Sequence, residues 1–217
     1  MSIQSELAAY CRKVYEKGFV SAYDGNLSVR SAGGNIFITR SGICKGEVTE
    51  KDILELDSSG NLISGEGKIS TEYKIHLFVY SRRKDINAVV HCHPVYSTAF
   101  ASAGKFTAHA LQKNIFPEVI LSLGKIPLCD YATPSTDELP GSMEPFIKNS
   151  EVFLLQNHGA VAIGVDIKDA YYKMEKLEHT AKTLFIARML GGEKEISPEK
   201  VSELLDLSEK VYGIKKK

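Results

Sequence analysis

The sequence predicts an α/β fold with a mixed or mainly antiparallel sheet. Three observations carry that prediction. Strand-length apolar runs alternate with stretches of helical period. Several neighbouring strands are separated only by short turns rich in Gly, Ser, Asn and Asp, as hairpins are. No internal repeat, low-complexity tract or linker divides the 217 residues, so residues 1–217 read as one domain. The elements follow in order. Ile3 to Lys17 carries Ile3, Leu7, Ala8, Cys11 and Val14 near helical period, and Gly18 supplies a stop. Turn residues Ser21–Asn26 lead to strands Leu27–Arg30 and Asn35–Thr39, joined through Ser-Ala-Gly-Gly. Ile53–Leu56 and Asn61–Ser64 form a second hairpin around Asp-Ser-Ser-Gly. Ser70-Thr-Glu opens a helix bearing Ile75, Leu77, Phe78 and Val79 that ends near Arg83. Asn87–His93 reads as a buried strand, and Pro94 starts a helix. Pro134–Lys148 mixes a turn and a helix. Glu151–Gln156 and Ala160–Val165 are strands either side of Asn-His-Gly, and Ile167–Leu190 and Pro198–Tyr212 are the closing helices.

Composition excludes several classes. An apolar fraction of 43% with 25% charged residues is ordinary for a folded chain. Lys plus Arg and Asp plus Glu are 27 each, a formal charge of zero, whereas nucleic acid or an anionic membrane demands a basic excess. The expectation is therefore no nucleic-acid and no membrane partner. Cys11, Cys44, Cys92 and Cys129 show no paired spacing, the N-terminus has no basic or apolar leader character, and no apolar run reaches ~20 residues. A cytoplasmic location is expected.

Chemistry concentrates at Val89-Val-His-Cys-His-Pro94. Residues i and i+2 of a strand share a face, so His91 and His93 point together and can grip one metal ion while Cys92 turns away. A catalytic divalent ion needs a third protein ligand and an open position. His158, in Gln156-Asn-His-Gly159 between two apolar strands, and Glu72, at a helix start, are the candidates. Gly159 is expected to permit a tight turn. Glu72 could equally be a first-turn acid facing the helix dipole. His76, His109 and His179 read as structural, and Cys92 as core. Gly25-Asn26, Ser41-Gly42 and Ser70-Thr71 fall at turns or helix starts, where amides and hydroxyls can cradle an anion if they converge. No lysine stands out as a Schiff-base former, which favours metal chemistry.

Gly25-Asn-Leu-Ser28, Thr39-Arg-Ser-Gly42, Ser70-Thr-Glu72, His91-Cys-His93, Tyr131-Ala-Thr133, Asn157-His-Gly159 and Val211-Tyr-Gly213 follow one another in an order that resembles the class II aldolases of the L-fuculose-1-phosphate aldolase family. The resemblance spans nearly the whole chain. It implies a three-layer α/β/α fold around a predominantly antiparallel sheet, and a homotetramer with active sites at subunit interfaces. It implies one Zn2+ per subunit held by His91, His93 and His158, with Glu72 a fourth ligand in the free enzyme and the acid/base once substrate binds. Gly25, Asn26, Ser41, Gly42, Ser70 and Thr71 would hold the phosphate of a ketose 1-phosphate, and Tyr212 would reach a neighbouring subunit's site. The implied reaction cleaves that ketose to dihydroxyacetone phosphate and an aldehyde through an enediolate, for which the metal is the Lewis acid. Proton shuttling by Glu72 calls for a pKa raised toward working pH. Two positions depart from the aldolase pattern: Pro134 stands where it has phenylalanine, and Phe116 falls near its proton-donating tyrosine, for which nearby Tyr96 could stand in, although no motif marks it. Epimerases on this scaffold carry aspartate at the position of Glu72. Dehydratases and decarboxylases share much of the histidine pattern, and the adducin head, a non-catalytic relative, lacks the metal histidines.

Overall fold

The computed structural model describes residues 2–103 and 109–212, apart from the side chains of Glu209, Val211 and Tyr212. Eight strands form one sheet: β1 (Asn26–Arg30), β2 (Ile36–Thr39), β3 (Ile53–Leu56), β4 (Leu62–Ser64), β5 (Ala88–Cys92), β6 (Leu128–Cys129), β7 (Val152–Leu155) and β8 (Gly159–Gly164). They lie side by side as β4-β3-β2-β1-β5-β8-β7-β6. Every pairing is antiparallel except β6 with β7, where Leu128 meets Leu154 and Cys129 meets Leu155. The helices are α1 (Ile3–Glu16), α2 (Tyr73–Arg82), α3 (Val95–Ser102), α4 (Pro117–Ser122), α5 (Glu138–Ser142), α6 (Ile167–Met189) and α7 (Pro198–Tyr212).

Strand alternation sorts the core into two clusters, one on each face of the sheet. Ala88, Val90 and Cys92 of β5 and Ala160 and Ala162 of β8 meet Leu7, Cys11 and Val14 of α1, Phe100 of α3 and Met174, Leu177 and Leu184 of α6. Val89, Val161 and Ile163 face the other way, onto Ile75 and Val79 of α2, Leu139 of α5 and Met143 just beyond it. The result is the three-layer arrangement implied by the resemblance. α1 begins where the Ser2 hydroxyl accepts the Ser5 N–H at 3.0 Å, and it ends at Gly18, whose φ of +70° takes the left-handed turn. β6 and α4 are elements that the sequence pattern does not announce. All four cysteines are free, and Cys92 is wholly buried in the core.

Candidate active site

β5 lies at the centre of the sheet, between β1 and β8, and all five of its residues are buried. By alternation His91 shares the Val89 face, toward α2, and His93 follows one step beyond the strand end. The two Nε2 atoms stand 3.2 Å apart. His158 arrives from the β7–β8 turn, where Asn157 takes a left-handed φ of 56°. The tight turn expected at Gly159 is present, spanning residues 156–158 between the paired Leu155 and Gly159, and Gly159 has a second task. A Cβ there would come within 2.6 Å of both the Cys92 carbonyl oxygen and His93 Cδ2, so its bareness lets the two strand ends close around the histidines. Gly25 does the same on the opposite flank, where a Cβ would stand 2.7 Å from the His91 oxygen.

Glu72 occupies the N-cap position of α2 but makes no capping hydrogen bond. Its carboxylate turns inward instead, with Oε2 3.2 Å from His91 Nε2 and Oε1 3.0 Å from His158 Nε2. Four donors therefore converge, and the ligand atoms of the three histidines all lie within 4.8 Å of one another. Ligands at ~2.0–2.1 Å in a tetrahedron about zinc are ~3.3 Å apart, close to these spacings. His91 is also oriented for the task, because its Nδ1–H donates to the Ala160 oxygen at 3.0 Å and leaves the Nε2 lone pair facing the centre. His158 Nδ1 is buried with no partner among the described residues. The donor set fits a divalent ion that takes nitrogen and oxygen ligands.

Burial opposes ionisation of Glu72, but the neighbouring His91 and His158 outweigh it and hold the carboxyl well below its usual range. This is the reverse of the raised pKa asked of an acid/base, and it suits a metal ligand. Burial and the other two imidazoles push His93 down to about 3, so it is neutral and able to ligate near pH 7.

Beside the histidine cluster lies a cavity of about 250 Å³. All six small residues read as anion-binding, Gly25, Asn26, Ser41, Gly42, Ser70 and Thr71, line it together with Glu72 and His93. Two loops make one wall: the Ser41 N–H donates to the Lys68 oxygen at 2.8 Å, and Arg40 bridges to Ile69. The sequence reading passed over two cations here. Arg40 lines the cavity with its Nε held by Asp52 Oδ1 at 2.7 Å, and its Nη atoms make no hydrogen bond among the described residues. Lys45 is only 1% exposed, and burial lowers its pKa. Its ammonium donates to the Tyr23 and Ile43 oxygens, leaving one of three hydrogens unassigned. No motif marks Lys45; its importance comes from burial beside the cavity.

Other expectations fall outside the cluster. His109 is exposed, and Phe116 packs against the larger core cluster. Tyr96 packs 5.7 Å from the Phe185 ring, and its N–H is capped by Glu178 at 2.9 Å. Tyr131 is 59% exposed, and after Pro134 the chain brings the Ser135 hydroxyl to 2.7 Å from Thr71 Oγ1. Tyr212 ends α7, but its side chain lies outside the described residues, as does Gly213.

Residues 5–185 match the family described as the Class II Aldolase and Adducin N-terminal domain. An L-fuculose phosphate aldolase of Methanococcus maripaludis is 37% identical over 186 residues, 86% of this chain and 98% of that protein. A 3-oxo-tetronate 4-phosphate decarboxylase of Escherichia coli is 30% identical over 185 residues, 85% of this chain and 87% of that one. Among solved structures, YgbL of Klebsiella pneumoniae, described as an aldolase/epimerase/decarboxylase, superposes with a TM-score of 0.86 at 28% identity, covering 93% of this chain and 97% of its own.

Proposed function

Because the chain belongs to the Class II Aldolase and Adducin N-terminal domain family and is a lyase of that family, we propose that it cleaves a ketose 1-phosphate, L-fuculose 1-phosphate or a close relative, to dihydroxyacetone phosphate and an aldehyde. The observation that carries this reading is the placement of three imidazoles and a carboxylate at the edge of the cavity that the six small polar residues line. Zn2+ held by His91, His93, His158 and Glu72 would supply a Lewis acid for the charge that develops next to the substrate carbonyl. The protein does the rest. Hydroxyls of Ser41, Ser70 and Thr71, the Asn26 amide and the backbone at Gly25 and Gly42 bind the phosphate remote from the breaking bond, which orients that bond. Glu72 carries the proton at its carboxylate oxygens once substrate draws it from the histidines.

Incubation with L-fuculose 1-phosphate and related ketose 1-phosphates, coupled to detection of dihydroxyacetone phosphate, tests the proposal. The expected result is metal-dependent release of that product. A second reading, decarboxylation of a 3-oxo acid 4-phosphate, is favoured by the relatives that carry this name. Carbon dioxide from such an acid, with no triose phosphate from any ketose, would replace the first reading with the second.

The proposal includes a homotetramer in which Tyr212 reaches a neighbouring copy's site. Exposed Tyr172, Phe185, Ile186, Met189 and Leu190 on and just beyond α6 support association. Sedimentation at micromolar concentration should return four chains, and a monomer would end this part of the reading. One catalytic domain per chain, residues 1–217, and a cytoplasmic location complete the proposal.

A further inference from the structure

His76 reads as a structural histidine from the sequence, and it is wholly buried in α2. It is also the centre of a hydrogen-bonded chain that ends in the candidate site. Tyr80 Oη lies 2.7 Å from Ser28 Oγ, Ser28 Oγ reaches His76 Nδ1, and His76 Nε2 reaches Asn26 Oδ1. The Asn26 amide nitrogen then stands 3.2 Å from Ser70 Oγ and 3.1 Å from Glu72 Oε2.

One anchor fixes the direction of every bond. It is the Asn26 nitrogen, and not its oxygen, that faces both Ser70 Oγ and Glu72 Oε2, so the NH2 lies on the cavity side. That turns the Asn26 carbonyl toward His76, so Nε2 must carry a hydrogen. Burial, with His91 nearby, lowers His76 to about 3, so near pH 7 it is neutral and its Nδ1 is bare. Ser28 must therefore donate to Nδ1 and accept from Tyr80, whose hydroxyl burial keeps protonated. The reverse orientation of Asn26 would aim a carbonyl oxygen at Glu72 and at any anion in the cavity.

We propose that His76 is a positioning residue: held in its Nε2–H tautomer by Ser28 and Tyr80, it locks Asn26 with the amide NH2 toward Ser70, Glu72 and the anion-binding cavity. This rests on the phosphate reading of the site, and the experiment separates the two. Glutamine places an amide nitrogen near the position of Nε2 and preserves the donor to Asn26, whereas asparagine reaches only the position of Nδ1 and preserves Ser28. Each variant loses one hydrogen bond and should be destabilised to a similar degree. Inorganic phosphate is the probe, with the zinc-loaded protein and calorimetric titration. His76→Gln should bind phosphate within about threefold of wild type and His76→Asn about tenfold more weakly, the loss associated with one mis-aimed buried donor. If a ketose phosphate is turned over, KM should follow the same split more than kcat does.

The second measurement is independent of any ligand. Nitrogen-15 spectra of histidine-labelled protein should show His76 protonated at Nε2 and bare at Nδ1 at pH 7, and Ser28→Ala should erode that preference. An Nδ1–H tautomer in wild type overturns the proposal, as does equal phosphate affinity in the two His76 variants. Wild-type protein that binds no phosphate but shows the Nε2–H tautomer overturns the phosphate reading and leaves His76 orienting Asn26 toward Glu72 alone.

Discussion

Gly159→Ala is the sharpest test of how the histidines are brought together. The new Cβ would sit 2.6 Å from both the Cys92 oxygen and His93 Cδ2, where ordinary contact begins at 3.4 Å, so about 0.8 Å must be recovered. The Cys92 backbone cannot supply it, because Cys92 pairs directly with Ala160 in the β5–β8 ladder. The His93 ring must yield, and 0.8 Å is a large fraction of a ~2.0–2.1 Å zinc–nitrogen bond. The expected loss in zinc affinity is about 10–100-fold, the range seen when a ligand's support is removed. Overpacking adds about 1–3 kcal/mol of destabilisation without metal. With zinc at a fixed excess the gap from wild type should widen by about 1.4 kcal/mol per tenfold loss of affinity. Competition against a chromophoric chelator gives the affinity, and thermal unfolding with and without zinc gives the rest. Gly141→Ala, where a Cβ meets nothing within 4 Å, is the control and should bind zinc as wild type does. Wild-type zinc affinity in Gly159→Ala would refute the packing argument.

Three further outcomes are expected. Glu72→Gln should abolish turnover while retaining much of the zinc, since three imidazoles remain; near-normal cleavage would remove Glu72 from the acid/base role. Arg40→Ala should weaken phosphate binding about three- to tenfold and flatten its dependence on salt, because one charged donor leaves the cavity wall; an unchanged titration would place the Nη atoms outside the anion site. Stability should fall in acid through His76, whose pKa drops from 6.5 unfolded to about 3 folded. The unfolded chain binds the extra proton between those values, so this contribution is complete above pH ~6.5 and is lost toward pH 3, by up to about 1.4 kcal/mol per unit. Urea titrations at pH 7 and 5 should show a steeper loss for wild type than for His76→Gln; parallel losses would mean that His76 is charged in the fold.

Much of this was legible because it is local. His91 and His93 fall together by the two-residue strand period, and hairpin turns announced β1–β2 and β3–β4. β6 escaped notice because two residues, Leu128 and Cys129, are too few to show a period. Convergence of Asn26, Ser41 and Ser70 is implied by the resemblance but not readable from spacing, since it depends on β1 lying between β2 and β5 and on the bridge from Arg40 to Ile69. Lys45 and His76 owe their significance to burial, which no spacing records. Gly159 closes the turn expected of it, but its need for room beside β5 was not legible, being a property of the neighbouring strand.

The two halves of the site also differ in how firmly the fold holds them. His91 belongs to a strand bonded on both sides and buried throughout, whose amides should exchange with solvent only through global unfolding. Ser41, Gly42, Ser70 and Thr71 sit in loops tied to one another by the Arg40–Ile69 bridge and the Ser41–Lys68 hydrogen bond, so they should open together and far more often. A ligand that spans both halves would thus join the fastest-breathing part of the chain to the slowest. Hydrogen exchange should register binding chiefly in residues 40–42 and 68–71, leaving β5 as protected as before.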